Sequence, residues 1–288
     1  MPTGYRNLCF GFVRISLSEN QTNTMKYLTL LVLFTFSVLI SCSPDKTDTS
    51  QTVASGTTDN PAQSGFNHEG SDAEAVLIAD EVMKAMGGRQ AWDNTRHLRW
   101  NFFGFRTLFW DKWTGDVRIE IPSSETRILL NINDDTGRVW RNGSEMTLPD
   151  SVAKYVQQGK SIWINDSYWL VMPYKLKDSG VTLTYLGTEE TDSGSEADKL
   201  ELRFRNVGVT PDNKYHIWID KDIKLVTQWA YFRQYDMESP NFKGPWTDYS
   251  RHGEILLSGG RGDRQISDIA VFRELPPSVY HSFDEVSL

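Results

Sequence analysis

The side chains that could do chemistry are scattered along this chain. His68, His97, His216, His252 and His281 never fall four residues apart, the spacing that sets two imidazoles on one helix face, and there is no HExxH. Asp220-Lys221-Asp222 places two carboxylates as a calcium loop does, but it lacks the Gly and the distal Glu of such a loop and reads as a tight turn. Gly259-Gly-Arg-Gly-Asp263 is glycine-rich, yet no Lys-Ser/Thr follows and no helix opens after it, so a phosphate cradle is not expected. Arg261-Gly262-Asp263 spells an adhesion tripeptide too short to inform. There is no GxSxG elbow, and no spacing singles out a carboxylate pair that would flank a sugar. The expectation is a protein that acts by binding, with no metal, no cofactor and no catalytic residue.

One reactive side chain does sit in a meaningful context. Met25-Lys26 opens a short basic region, the apolar run 27–40 follows, and Leu39-Ile40-Ser41-Cys42 closes it. An apolar run of that length with those flanks suits an export signal better than a membrane span. A small residue before the cysteine is the pattern of a bacterial lipobox, so Cys42 is the expected lipidation site (palmitate or a similar acyl chain) and the membrane partner. Two or three alkyl chains on Cys42 would anchor it stably. Residues 1–24 lie outside that signal and read as a mis-called extension, with 25–41 the signal peptide. Ser43 lacks the Asp that retains some lipoproteins in the inner membrane, which points to the outer membrane, facing periplasm or exterior. Cys9 and Cys42 are the only cysteines, so residues beyond 42 have neither a disulfide nor a thiolate metal site.

Removing residues 1–41, which carry Arg6, Arg14, Lys26 and Glu19, moves the net charge from −8 to −10. No basic stripe is visible, which argues against nucleic acid. From Ser43 to Gly70 the chain is polar and glycine-rich, with Phe66 the one large apolar residue; such a segment buries too little to order itself and reads as a flexible tether. The folded domain is expected from 71 to 288.

Ser71-Asp-Ala-Glu74 has the form of a capping box, Val76, Ala79, Met83 and Met86 repeat at helical spacing, and Gly87-Gly88 ends the helix. The period then becomes two: Leu98-Trp100-Phe102, Leu108-Trp110, Val117-Ile119-Ile121 and Ile128-Leu130-Ile132, separated by short Gly-bearing turns that imply antiparallel hairpins. Residues 150–176 interrupt, as one helix from Asp150 ended by Gly159 and a second turn at 168–172 stopped by Pro173. Strands resume at Val181-Leu183-Tyr185, Leu200-Leu202-Phe204, Tyr215-Ile217-Ile219, Leu225-Thr227-Trp229-Tyr231, Gly253–Leu257 and Ile266–Phe272. A flat sheet this long exposes costly edges. The expected fold is mainly β (α+β): a curled antiparallel sheet of about 10–11 strands forming a half-open barrel, with an N-terminal helix and a helical insertion covering the mouth.

That order of elements behind a lipobox resembles the LolA/LolB-like superfamily and, within it, Gram-negative outer-membrane lipoproteins related to lipoprotein-sorting proteins. Met86-Gly-Gly88 with Trp92, Asp166-Ser-Tyr-Trp-Leu170, Met172-Pro-Tyr-Lys-Leu176, Trp218-Ile-Asp220 with Leu225, and Gly253-Glu-Ile-Leu-Leu-Ser258 carry the resemblance. It covers nearly all of 72–288 and implies a half-open barrel that holds lipid acyl chains. No functional residue of the carrier aligns to a position here.

All ten Trp lie beyond residue 90. Trp100, Phe102, Trp110, Trp140, Trp163, Trp169 and Trp229 are the candidates to line a cavity for an acyl chain or other hydrophobic small molecule; as core they would each bury ~150–250 Å² instead. Trp163 and Trp169 stand out because a cover over the mouth touches ligand and barrel alike, with Gly159 and Pro173 as hinges. Trp218 is opposite in phase to Tyr215, Ile217 and Ile219, so one of these sets faces outward or into a second layer. Three functions follow: lipid binding in the barrel; docking of an envelope partner through an exposed patch at Phe242, Trp246 and Tyr249; or catalysis on envelope lipid or carbohydrate, which needs convergent carboxylates or histidines in a cleft.

Overall fold

The period-two segments pair in the order in which they occur. In the computed structural model, which describes residues 59–205 and 212–288, β1 (His97–Phe102), β2 (Arg106–Asp111), β3 (Asp116–Ile121), β4 (Thr126–Asn131), β5 (Gly137–Arg141) and β6 (Ser144–Glu145) form an antiparallel meander. A second meander follows: β7 (Val181–Glu190), β8 (Glu196–Phe204), β9 (Lys214–Asp220), β10 (Val226–Phe232) and β11 (Phe242–Pro245). The chain then returns to the first sheet, where β12 (Thr247–His252), β13 (Ile255–Arg261) and β14 (Arg264–Phe272) join it through the β14–β1 pairing. The result is a nine-stranded and a five-stranded antiparallel sheet, neither closed, as a half-open barrel requires. The strands that match none of the ten segments read from period two are β5, in which Val139 alone is buried, and β6, β11 and β12, which are exposed at most positions and so carry no apolar alternation to read.

The inner faces of both sheets share one core, in which Leu98, Trp100, Leu108, Ile119 and Ile128 of the large sheet meet Leu183, Leu200, Leu202, Ile217 and Trp229 of the small one. Trp218 points the other way, into a separate small cluster with Ala197, Ala230 and Phe232.

Helix α1 (Ala73–Ala85) ends as expected, on Gly87 and Gly88 at φ 115° and 90°, with the Gly88 amide donating back to the Met83 carbonyl. Its start differs. Ser71 does not cap it; the Ser71 hydroxyl donates to the Asn67 carbonyl and accepts from the Leu183 amide, while Asp72 accepts from the Tyr185 amide. These side chains sew the entry of the helix to the edge of β7, where unpaired strand amides compete for them. A short helix, α2 (Arg89–Asn94), leads to β1.

The segment expected to be tether packs on the domain from residue 59 onward. Phe66 is buried in the main core, Asn60 hydrogen-bonds buried Asp80, and amides of Gln63 and Asn67 pair with the carbonyls of Lys177 and Val181. One large apolar side chain suffices because the turn before β7 and the start of β7 supply the backbone partners. Cys42 and the export signal lie outside the described residues.

The helical insertion is not two pieces. It is a single helix, α3 (Pro149–Val171), running straight through Gly159. A Cβ at Gly159 would come within 3.1 Å of Ile128 and 3.3 Å of Leu130. The glycine is there to let the helix axis approach β4, which overrides its ordinary role as a terminator. Gly159 is therefore no hinge. Pro173 does stop the helix, inside a single 3₁₀ turn at Met172–Lys175. Among the described residues no helix is long and apolar enough to cross a membrane.

Candidate functional site

Helix α3 is held down by polar contacts as well as by its apolar face. Asp166, without solvent exposure, receives two hydrogen bonds from Arg106 of β2, at 2.5 and 2.8 Å, and a third from Asn165. Burial pushes the Asp166 carboxyl above its ordinary range, and the Arg106 guanidinium opposes that shift. Near the helix end, Arg261 donates to the Trp169 carbonyl, a cation placed on the negative end of the helix dipole. Arg261 forms no ion pair with a carboxylate among the described residues, although the nearby Asp248 favours its charge. It is bonded instead to the carbonyls of Ser258 and Gly260 and to the Ser258 hydroxyl, and it lies 3.4 Å above the centre of the Trp246 ring. Burial lowers its pKa to about 9. The glycine-rich turn singled out in the sequence thus clamps α3 through Arg261.

With α3 so placed, the side chains of Trp163, Ser167, Tyr168 and Trp169 form one wall of an open groove of about 400 Å³. The opposite wall is made by the ends of three neighbouring strands: Val181 of β7, Phe204 of β8 and Tyr215 of β9. Asn165, Asn213, Ser179 and the ion pair Lys175–Asp178 supply the polar rim. The aromatic rings are in contact with one another. Tyr168 packs against Phe204 and Tyr215 at 5.9 and 5.3 Å, Tyr215 stacks on Trp229 at 5.6 Å, and Trp169 meets Trp229 edge-on at 4.3 Å. The groove is the open end of the aromatic core. The hydroxyl of Tyr168 is buried there with no hydrogen-bond partner among the described residues, and burial drives its pKa well up.

The seven candidate residues separate. Trp163 and Trp169 line the groove. Trp100, Phe102, Trp110 and Trp229 are buried core residues outside its walls, and Trp110 touches it only through its 5.2 Å contact with Trp163. Trp140 lies against Phe283, near the C terminus. Strand alternation places Trp100, Phe102, Trp110 and Trp229 on the inner face, where they are buried in the shared core, and Trp140, in phase with Arg138, on the outer face; the groove lies instead where β7–β9 end. Phe204 and Tyr215 complete the groove and were legible only as members of alternating strands; their position at strand ends was the available signal.

The aromatic patch expected at Phe242, Trp246 and Tyr249 does not form. Trp246 is 1 % exposed, held between Arg261 and Trp229, and the Tyr249 hydroxyl donates to the Val226 carbonyl. Only Phe242 is exposed. The loop reads as apolar surface in sequence because Pro and Gly flank it, whereas β11 and β12 turn Trp246 inward.

Among the described residues no group of three His, Cys, Asp or Glu converges to hold a metal. Asp220-Lys-Asp222 is the hairpin turn expected, with Asp220 Oδ1 accepting from the amides of Asp222 and Ile223. A charged cluster of Glu201, Arg203, Lys214 and His216 lies on the outer face of the small sheet. There, burial works against the charge of Glu201, but hydrogen bonds from His216 and Arg203 and the nearby Lys214 hold its pKa at about 2.

No family model matches the sequence, and no curated protein is detectably similar to it. Several solved structures are similar in shape, among them the following two. A DUF1329 family protein from Desulfovibrio piger superimposes with a TM-score of 0.42 at 12% identity, covering 72% of this chain and 96% of that one. A putative outer membrane lipoprotein-sorting protein domain from Vibrio parahaemolyticus gives 0.38 at 9% identity, with the same coverage of 72% and 96%.

Proposed function

We propose that this chain is an envelope lipoprotein, anchored through acylated Cys42 in the outer membrane, that holds a lipid or other hydrophobic molecule in the groove between α3 and the ends of β7–β9. The carrying observation is the continuous aromatic lining of Trp163, Tyr168, Trp169, Phe204 and Tyr215 around an open space of about 400 Å³. That volume falls within the range of small-molecule sites, and an apolar wall with a few polar groups at its rim suits an alkyl chain bearing a polar end. Each methylene transferred from water into such a wall contributes ~0.8 kcal/mol. Ten of them therefore exceed the low end of the ordering cost of association. Lipoprotein or lipid trafficking is the role this would serve, by binding rather than by catalysis.

The test is native mass spectrometry of the detergent-free full chain, followed by solvent extraction and mass analysis of what co-purifies. A stoichiometric lipid or other apolar molecule is expected. Empty protein in every preparation, together with failure to bind a fluorescent fatty acid, would exclude the reading.

A further inference from the structure

The C-terminal segment is attached to the rest of the protein in an unusual way. After β14 the chain passes Pro276-Pro277 and forms the single-turn helix α4 (Ser278–His281), then runs on over the outer face of β3–β5. Arg118 of β3, itself without solvent exposure, donates to the carbonyls of Val279, Ser282 and Asp284 at 3.2, 2.6 and 2.6 Å. Arg127 of β4 donates to the Phe283 carbonyl at 2.7 Å, and Arg138 of β5 to the His281 carbonyl at 3.0 Å. Five carbonyls of one short segment are thus read by three guanidinium groups from three successive strands. The amides of Val279, Tyr280, His281 and Ser282 bond only within the segment, to Pro276, Pro277 and Ser278.

Three anchors complete the contact. Val279 and Tyr280 pack on Phe109, the Tyr280 hydroxyl lies 3.0 Å from Nδ1 of buried His97, and Phe283 packs on Trp140 with ring centres 5.7 Å apart. Because only side chains attach it to the sheet, the segment can leave without breaking a strand pairing. What it would uncover is an apolar strip at Phe109 flanked by arginines, a surface that fits an extended peptide by its main-chain carbonyls.

We propose that the outer face of β3–β5 is a peptide-binding groove, occupied in cis by residues 276–286 as a releasable strap, and that a proton on His97 releases it. The groups facing His97 are Asp111 of β2 at 3.7 Å, Arg96 just before β1 and Tyr280 of α4; Asp116 and Glu274 lie beyond them. Asp111 is engaged by three hydrogen bonds from Arg96 and by the amides of Trp113 and Thr114, so it has little capacity left for an imidazolium. Burial accordingly lowers the affinity of His97 for a proton, against the partial opposition of Asp111. With its folded value below 6.5, strap docking is fully favoured above that pH and weakens as pH falls through it. One linked proton gives at most about a tenfold change in the docking equilibrium per pH unit.

Hydrogen exchange on the full chain at pH 7.5 and 5.5, corrected for intrinsic rates, tests this, together with a fluorescent peptide spanning residues 274–288. Amides 278–286 should lose up to about tenfold of their protection per pH unit while β1–β4 keep theirs, and the peptide should bind a chain ending at residue 275 more tightly at pH 7.5 than at 5.5. His97→Gln should flatten the pH dependence of the strap. Protection of 278–286 that is unchanged with pH, or lost only together with the strands, overturns the release. A peptide that binds at neither pH, even to a chain ending at residue 275 whose strands exchange as in the full chain, overturns the groove.

Discussion

The guanidinium of Arg106 meets the carboxylate of Asp166 through two hydrogen bonds, and that carboxylate has no contact with solvent. This pair ties β2 to α3 midway between Trp163 and Trp169. Replacing Arg106 by Leu strands a buried carboxylate, so the expected cost is about 3–5 kcal/mol of global stability. Asp166→Asn keeps an acceptor for the guanidinium and should cost less. Denaturant melts of both variants measure the difference; equal costs would show that the charge at Asp166 does not matter.

Trp163 and Trp100 have opposite expected behaviour. Trp163→Ala removes part of the groove wall, so the affinity for a fluorescent fatty acid should fall roughly tenfold, about 1.4 kcal/mol. Trp100 is 0 % exposed in the core. Trp100→Ala should therefore cost about 3–5 kcal/mol of stability, with probe affinity intact in the folded fraction. Fluorescence titration alongside thermal melts separates the two.

Trp246 belongs to the fold rather than to a docking surface. Truncation to Ala removes a fully buried ring and leaves Arg261 without the face on which it lies, so a loss of about 3–5 kcal/mol is expected. Chemical denaturation measures it. A variant as stable as the parent would contradict the burial of this residue.

Glu201 predicts an acid limb in the stability profile. Its carboxyl titrates at about 2 in the folded protein against 4.5 unperturbed. The stabilisation, on the order of 3 kcal/mol, is thus fully present above pH ~4.5 and lost as pH falls toward ~2. Glu201→Gln should remove that part of the slope in urea melts taken across this range.

Gly159 marks the closest approach of α3 to β4. Gly159→Leu has to displace Ile128 and Leu130, and a cost of about 1–3 kcal/mol from overpacking is expected. Gain of stability, as helix propensity alone would give, would mean that the helix does not press on the strand.

What could be read directly from the chain was periodicity and its interruptions. Alternation at 98–132 and 181–231 placed the strands and their inward faces, down to the opposite phase of Trp218, because side-chain direction along a strand is a local property. Gly87-Gly88 and Pro173 acted as stops because their effects need no distant partner. Tertiary structure decided the rest. Gly159 looks like a helix terminator until Ile128 and Leu130 fill the space its missing side chain leaves. Ser71 looks like a cap until the β7 edge offers it a strand amide. Trp246 looks like surface until Arg261 and Trp229 enclose it. The groove itself exists because α3 ends over the place where β7, β8 and β9 stop, so its walls come from residues up to 52 positions apart, Trp163 to Tyr215. Alternation says which face a residue occupies; what that face meets depends on contacts distant in sequence, and no local period carries them.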